Sequence, residues 1–454
     1  MAPARNFSRL YSHLCTLRGG PFCGIVFSAF VNGRPPKDPK DDDHALLMKI
    51  LHIVKTATGA TWVYHQVRVL CSLGFEIVVA LPSATAGLAP KYQEAGATVV
   101  PINLDVPTKH PWQIPAVLKS CRTLVRSVRP DIIHTHHVGT TLVVRTALGK
   151  SSPIPRIFQV PGPLHLEHSF FAHLDTSSAG PQDHWIGGCR WTQQKYHQLG
   201  IPSQRVFLSY PGTDLNLFTC TRQNNLRSEL RLAPDTPLVG MVCYMYAPKR
   251  FLGQTVGLKG HEDFIAAFPI AKKQLPILHG VIIGGAWNGA TNYENHLREL
   301  GHRQCNGYLT FLGTRSDVPA LYPDLDLAVV PSHSENLGGA VEPLLSQVPV
   351  IATNVGGLPD LVQEGISGRL VPPRNPQAVA AAMLTSLQNR TETQGLAAAG
   401  HKMTRHLFDV QRTAREVAQI YTVVKSRAAS AGAEFMPKGN QTNFQTGMSK
   451  QDGR

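Results

Sequence analysis

Two series of short apolar runs, separated by helix-like segments, constrain the fold of this chain more than any other feature. The first series is ILHIV (50–54), EIVVAL (76–81), TVVPI (98–102), DIIHT (131–135), RIFQV (156–160) and RVFLS (205–209), with helix-like stretches around 61–73, 114–129, 141–149 and 190–199. The second is LVGMVCY (238–244), LHGVIIGG (278–285), YLTFLG (308–313), LDLAVV (325–330), PVIAT (349–353) and GRLVP (368–372), with helix-like stretches at 260–275, 291–302, 339–347 and 376–390. A strand with one wet face alternates apolar and polar residues. These runs are apolar nearly throughout, so both faces need cover, which describes a parallel sheet with helices on each side. The expected class is α/β: two Rossmann-like doubly wound domains, 48–215 and 216–401, followed by a helix over 402–427. The break between them falls at PGTDLNLF (211–218) and the polar stretch 221–237. Ligands of such sheets sit beyond the carboxyl ends of the strands, here in the cleft between domains.

Outside this core, residues 1–47 show no period and end in RPPKDPKDDDH, which reads as a disordered leader. Met48 opens MKILHIV like a natural chain start, so the leader reads as an upstream extension of the frame. Residues 428–454 are rich in Gly, Ser, Gln and Asn and read as a disordered tail. The formal charge is +14, of which +11 belongs to residues 48–427. Such a surface favours phosphorylated ligands, anionic lipid or nucleic acid. Nucleic acid is not an expected partner, because no aromatic cluster interleaves the basic residues and no recognised motif is present. A silent nucleic-acid-binding module is the alternative from a different class. The eight cysteines include no C-x-x-C pair, and several sit in apolar runs. They read as reduced, buried thiols of a cytoplasmic protein, without zinc cluster or disulfide framework. No apolar stretch reaches the ~18–20 residues of a membrane span.

The chemistry concentrates in 331–371, PSHSENLGGAVEPLLSQVPVIATNVGGLPDLVQEGISGRLV. Glu335 and Glu342 flank Gly338–Gly339, where an apolar strand gives way to a helix-like run. A glycine turn between strand and helix presents backbone N–H groups, with the helix dipole behind them, to an anion. An acid in such a turn is unwelcome unless it binds something other than phosphate. Carboxylates accept hydrogen bonds that sugar hydroxyls donate. Phosphate and polyol side by side describe a nucleotide sugar.

This segment, together with RPDIIHTHH (129–137), VFLSYPGTDLNLF (206–218) and LKGHEDFIAAF (258–268), resembles glycosyltransferase family 4, the group 1 retaining glycosyltransferases of GT-B fold. The resemblance spans roughly 48–425 and is strongest over 325–382. It implies a nucleotide-sugar donor on the C-terminal domain and a glycan, lipid-linked or small-molecule acceptor on the N-terminal one. It places Glu335 near the transferred sugar and Glu342 on the ribose hydroxyls. The family usually separates these acids by seven residues; here there are six. Lys259 matches the lysine on the donor diphosphate, where a fixed cation stabilises the charge of the leaving group. The family's partner arginine is missing from its usual place; Lys249 and Arg250, in CYMYAPKRFLGQTVG (243–257), are the candidates to replace it, with Arg250 expected among the donor-binding residues. Leu337, Gly338, Gly339 and Ala340 are expected to give backbone N–H groups to the phosphates. Gly59, in TATGAT (56–61), matches the glycine of the loop that lines the cleft. It lacks G-x-G-x-x-G, so no dinucleotide cofactor is expected.

Other polar groups carry alternatives. Many family members place a histidine near position 161; this chain has Pro161, and His165 is the nearby catalytic candidate, with a structural loop as the competing reading. His134, His136 and His137 read as structural. Asp324-Leu-Asp326 has the spacing of metal-dependent transferases but opens a core strand and reads as structural, so no metal is expected. Lys119, Arg122, Arg126 and Arg129 form one helical stripe, read as a wet face or as a peripheral contact with anionic lipid. A GT-B sugar-nucleotide epimerase or trehalose-type synthase is the alternative enzyme.

Overall fold

The structure, a computed structural model, describes residues 48–250 and 253–434. The leader over 1–47 and the end of the tail beyond 434 lie outside the described residues. The N-terminal sheet holds β1 (Lys49–Ile53), β2 (Glu76–Leu81), β3 (Thr98–Pro101), β4 (Ile132–Thr135), β5 (Arg156–Val160), β6 (Asp183–Gly187) and β7 (Val206–Leu208). Its order is β3-β2-β1-β4-β5-β6-β7, and every pairing is parallel. Its longer helices are α1 (Thr61–Ser72), α2 (Ile114–Val128), α3 (Val138–Leu148), α4 (Ser169–Ser178) and α5 (Arg190–Gln198). Side chains alternate between its faces: Ile50, Ile77, Val79 and Ile132 pack towards α1, and Leu51, Ile53, Val78 and Ile133 towards α2 and α3.

The second sheet repeats the plan. It holds β8 (Leu238–Val242), β9 (His279–Ile283), β10 (Leu309–Gly313), β11 (Leu327–Val330), β12 (Val350–Thr353) and β13 (Arg369–Val371), in the order β10-β9-β8-β11-β12-β13. Its helices are α6 (His261–Lys272), α7 (Thr291–Cys305), α8 (Gly338–Leu345), α9 (Pro376–Gln388) and α10 (Arg390–Phe408). In both sheets the order of strand addition reverses after the third strand, and the fourth pairs with the first. The crevices lie where β1 meets β4 and where β8 meets β11.

Three features depart from the expectation. Strand β6, DHWIG, was not anticipated, because it opens on a charge. Asp183 is buried, and Arg145 of α3 and Arg156 of β5 bind its two oxygens at 2.9 and 2.6 Å. A charge so paired can enter a core strand, but its partners lie 38 and 27 residues away. Next, the helix expected over 402–427 is two helices. Helix α10 ends at Phe408, and α11 (Val410–Glu434) starts after Asp409, whose Oδ1 accepts from Gln411 N at 2.9 Å. Helix α11 runs to Glu434, inside the stretch expected as a disordered tail. Finally, Cys220 is exposed; Cys121, Cys189 and Cys305 are buried, and Cys71 and Cys243 half-buried.

Helix α11 does not stay with the second domain. Val417, Ile420, Tyr421 and Val424 join the N-terminal core beside α1. Its return passes the other interdomain crossing. Thr213 N donates to Phe408 O at 2.9 Å, and Val410 N to Thr213 O at 3.2 Å. Both covalent links between the domains thus run side by side, which suits a hinge.

Tyr421 ends in a buried histidine cluster. Its hydroxyl lies 2.6 Å from His134 Nδ1 and 3.3 Å from His52 Nε2, while His52 Nδ1 lies 2.9 Å from His136 Nε2. One nitrogen from each ring falls within 4.8 Å of the others, but both nitrogens of His52 are engaged. Burial pushes all three imidazoles down, His52 to about 3, so they are neutral. The unfolded chain takes up these protons near pH 6.5 and the folded one does not. Stability should therefore decline as pH falls from about 6.5 towards 3. Tyr421→Ala removes the ring and the hydroxyl together and is expected to cost about 3–5 kcal/mol. Urea unfolding of the two proteins at pH 7 measures it; an unchanged midpoint would mean that α11 is not part of this core.

Candidate active site

The site begins with a glycine. Gly260 opens α6 at φ 72°, and a Cβ there would meet Pro331 O at 2.0 Å. Only glycine allows this contact between α6 and the end of β11. The contact places Lys259 against the 331–342 loop. The Lys259 ammonium forms an ion pair with Glu335, and Ser332 Oγ donates to the same carboxylate at 3.3 Å. Asn336 N donates to its other oxygen at 3.1 Å. A second glycine supports the loop from below: Gly356, at φ 51°, has no Cβ to meet Glu335 O at 1.8 Å. Burial disfavours the Lys259 charge, but Glu335 and neighbouring groups raise its pKa above the ordinary lysine value, so it is a cation.

Beyond Glu335 the chain turns into α8, whose start is capped by no side chain. Gly338 and Gly339 open its first turn. Glu342, one turn on, is half-buried, and the Tyr322 hydroxyl donates to its Oε2 at 3.2 Å. Burial raises the Glu342 pKa, and Tyr322 offsets part of the shift. Lys259, Glu335, Gly338, Gly339 and Glu342 all line one cavity of about 390 Å³. Its floor is the carboxyl ends of β8, β9 and β11, and its rim holds Tyr246 and Arg315. A second cavity of about 260 Å³ lies between the domains and shares Glu335, Gly338 and Glu342 with the first. Its far wall is Trp62 of α1, Gln159 of β5 and Gly188 after β6.

Not every expected residue arrives. Ala340 is buried, and its N–H is spent on Leu337 O at 3.1 Å, whereas Gly338 and Gly339 line the first cavity. Leu337 is buried and lines only the second cavity. Arg250 and Lys249 are exposed and line neither cavity. The arginine at the first cavity is Arg315, held by Asp317 and Glu229 at 2.7 and 2.8 Å. It follows β10, and a strand's carboxyl end is the signal that marks it. His165 is displaced. The short turn Leu164–Glu167 tucks it under Phe158, 3.2 Å from Tyr196 Oη and 3.4 Å from Asp175. That network also binds Arg145 and belongs to the core. Gly59, at φ 77°, lines neither cavity; Trp287 of the other domain is the nearest residue to its absent Cβ, at 3.9 Å. Asp324 accepts three backbone N–H groups from Gln223, Asn224 and Leu226; Asp326 takes Arg227 and Leu238 N. Both aspartates are structural.

Two facing doubly wound domains with a cation, two acids and an uncapped helix start in one crevice are the architecture of a GT-B glycosyltransferase. The model of the Glycosyltransferase Family 4 matches residues 59–217, and that of the Glycosyl transferases group 1 matches 250–389. The chain belongs to this family. The D-inositol 3-phosphate glycosyltransferase of Mycolicibacterium gilvum is 32% identical over 204 residues, 44% of this chain and 43% of that protein. Its counterpart from Geodermatophilus obscurus is 28% identical over 54% of this chain and 53% of its own. The chain therefore spans about half the length of these relatives or less. The fold matches Anabaena HepE, solved with UDP and glucose, at a TM-score of 0.69 and 21% identity over 83% of this chain and 100% of that one. It also matches sucrose-phosphate synthase of Thermosynechococcus elongatus, at a TM-score of 0.65 and 18% identity over 84% of this chain and 100% of that one.

The raised pKa of Glu342 makes a stability prediction. Its charge costs the folded state above the folded pKa and costs nothing below the unfolded value near 4.3. Glu342→Gln is expected to raise the melting temperature of the ligand-free protein at pH 7, and the gain should shrink as pH falls to 4. Differential scanning calorimetry across that range is the check.

Proposed function

We propose that this protein is a retaining glycosyltransferase that moves a sugar from a nucleotide diphosphate to a hydroxyl. The observation that carries the reading is the meeting of Lys259, Glu335 and Glu342 on one cavity at the carboxyl ends of the second sheet. The donor lies with its diphosphate at Lys259 and the first turn of α8, and its ribose diol on Glu342. In the step itself the acceptor oxygen bonds the anomeric carbon while the carbon–oxygen bond to the diphosphate breaks. The acceptor proton passes to the departing phosphate oxygen. Attack from the face of departure retains the anomeric configuration. No covalent intermediate on the protein is required; positioning and charge stabilisation do the work. Lys259, Arg315 and the helix start supply the positive charge, so the reaction needs no metal. No dinucleotide or other cofactor takes part.

The acceptor, a glycan or lipid-linked alcohol, approaches from the N-terminal domain. Among the described residues, no helix is long and apolar enough to cross a membrane. Helix α2 offers a peripheral contact instead. Residues 106–130 carry Lys109, Lys119, Arg122, Arg126 and Arg129 and no acid, and Trp112 at the start of α2 is 71% exposed. That face suits anionic lipid, on the cytoplasmic side.

Thermal shifts with UDP-, GDP- and ADP-sugars test the donor reading, because a ligand that binds only the folded state raises its melting temperature. One donor is expected to give a clear shift, and Glu342→Ala to abolish it. Lys259→Ala should lower kcat/KM by about 10²–10³, with the product anomer read by NMR. Failure of all three donor classes to shift the wild type would overturn the reading.

A further inference from the structure

We infer that His333 is a positioning residue of the site: its ring holds the Lys259 segment so that the ammonium is set for a diphosphate. The inference rests on the glycosyl-transfer reading and adds a member to it. Three observations carry it.

The first is the geometry of a clamp. His333 binds the Lys259 segment twice, once on each side of the lysine. Its backbone N–H donates to Leu258 O at 2.7 Å, and its Nε2 lies 2.7 Å from Oδ2 of Asp263, in the first turn of α6. An ionised carboxylate only accepts, so Nε2 carries the proton of that bond. The close approach of Gly260 to Pro331 fixes how near the two segments lie, but a single contact leaves both free to pivot about it. Two bonds from residue 333, to positions 258 and 263, remove that freedom. Any residue but proline at 333 can make the backbone bond. The other needs a side-chain donor of this reach.

The second is what the bond costs. The His333 side chain is 3% exposed, and its Nδ1 has no hydrogen-bond partner. A buried ring nitrogen left so disfavours the folded state. An apolar side chain of similar volume would serve packing better. The imidazole is therefore explained by the one bond its ring makes, to Asp263.

The third is the pull on the loop. Both neighbours of His333 are bonded to carboxylates. Ser332 Oγ donates to Glu335 at 3.3 Å, and Ser334 Oγ to Glu167 of the N-terminal domain at 3.0 Å. Movement of one domain against the other draws on Ser334, while Glu335 has to stay with Lys259. His333 stands between the two serines and anchors the loop to α6. The pair of Lys259 and Glu335 thereby keeps its geometry in the open and the closed cleft.

Calorimetric titration with UDP, GDP and ADP, and with the matching monophosphates, tests the inference. His333→Leu fills the space without the N–H and should weaken the bound diphosphate by about tenfold, since a charge-assisted bond depends on its geometry. The monophosphate lacks the second phosphate and should lose less than about twofold. His333→Gln keeps an N–H at similar reach and should restore most of the affinity. Asp263→Ala removes the same bond from the other side; it should match His333→Leu, and it carries the comparison should that variant not fold. With Lys259→Ala already in place, His333→Leu should have no further effect, because no ammonium is left to position. Equal losses for mono- and diphosphate, a His333→Leu effect that persists without Lys259, or unchanged affinity in both His333→Leu and Asp263→Ala would each overturn the inference. If no diphosphate binds the wild type, the glycosyl-transfer reading fails first and takes the inference with it.

Discussion

The ion pair of Lys259 with Glu335 organises the site, and it exists because Gly260 lets α6 start flush against Pro331. A lysine beside a carboxylate in a half-buried crevice is a cation already in position. Its charge is held by the protein before any ligand arrives, so the donor pose proposed above would need little reorganisation there. The same contact fixes the loop that carries Glu335, and through it the start of α8 and the height of Glu342. A larger residue at 260 would separate α6 from β11 and move all three groups together.

The second constraint is the route of the chain. Crossings at 211–213 and 408–410 are hydrogen-bonded to each other, and α11 buries Tyr421 in the N-terminal core. Elsewhere Cys189, Trp191 and Leu208 pack into the apolar cluster of the second domain, and specific polar contacts cross beside them. Ser334 Oγ donates to Glu167 at 3.0 Å, and Arg190 N and Tyr210 Oη both donate to Asp360 Oδ2 at 2.8 and 3.1 Å. Burial raises the pKa of both Glu167 and Asp360, so each of these contacts ends on a carboxylate whose charge is disfavoured where it sits. Contacts of this kind can open without dismantling either core. A two-strand hinge with a modest polar interface is what domain closure over a donor requires.

The sheets were legible because parallel strands buried on both faces announce themselves as continuous apolar runs. Strand β6 was hidden, since Asp183 looks polar until Arg145 and Arg156 are placed beside it. The break at Asp409 was hidden for a related reason. Locally only Asp409 marks it, by capping Gln411 N; the bend is also held by the pairing of 408–410 with Thr213, far earlier in the chain. At the site, the acids, Lys259 and the glycine pair were legible because spacing around a strand–turn–helix unit fixes them. Arg315, Tyr246 and Gln159 were not, because each is assigned to the crevice by the end of a strand or loop from elsewhere in the sheet order. His165 failed as a candidate because proximity in sequence to the β5 end is not proximity to the cleft: one turn of helix directs it to Asp175 instead.

The two cavities share a wall, and with it Glu335 and Glu342. On one side of the 335–342 turn lie Lys259, Arg315 and an uncapped helix start; on the other lie Gln159, Asn336 and Trp62. The turn itself carries Glu335 and Glu342, so it is the one place where charge must be balanced on both sides at once. Glu335 manages this by pairing with Lys259. Glu342 does not, and burial leaves its charge disfavoured with only Tyr322 to help. The unpaired atoms of Gln159 add to that cost. Destabilising groups concentrated on one turn and its facing wall, in domains otherwise well packed, are what a binding site looks like before it is filled. On the proposed reading, the free energy they withhold from folding is returned when a donor completes their hydrogen bonds. A chain selected for stability alone would place leucine at 159 and an uncharged residue at 342.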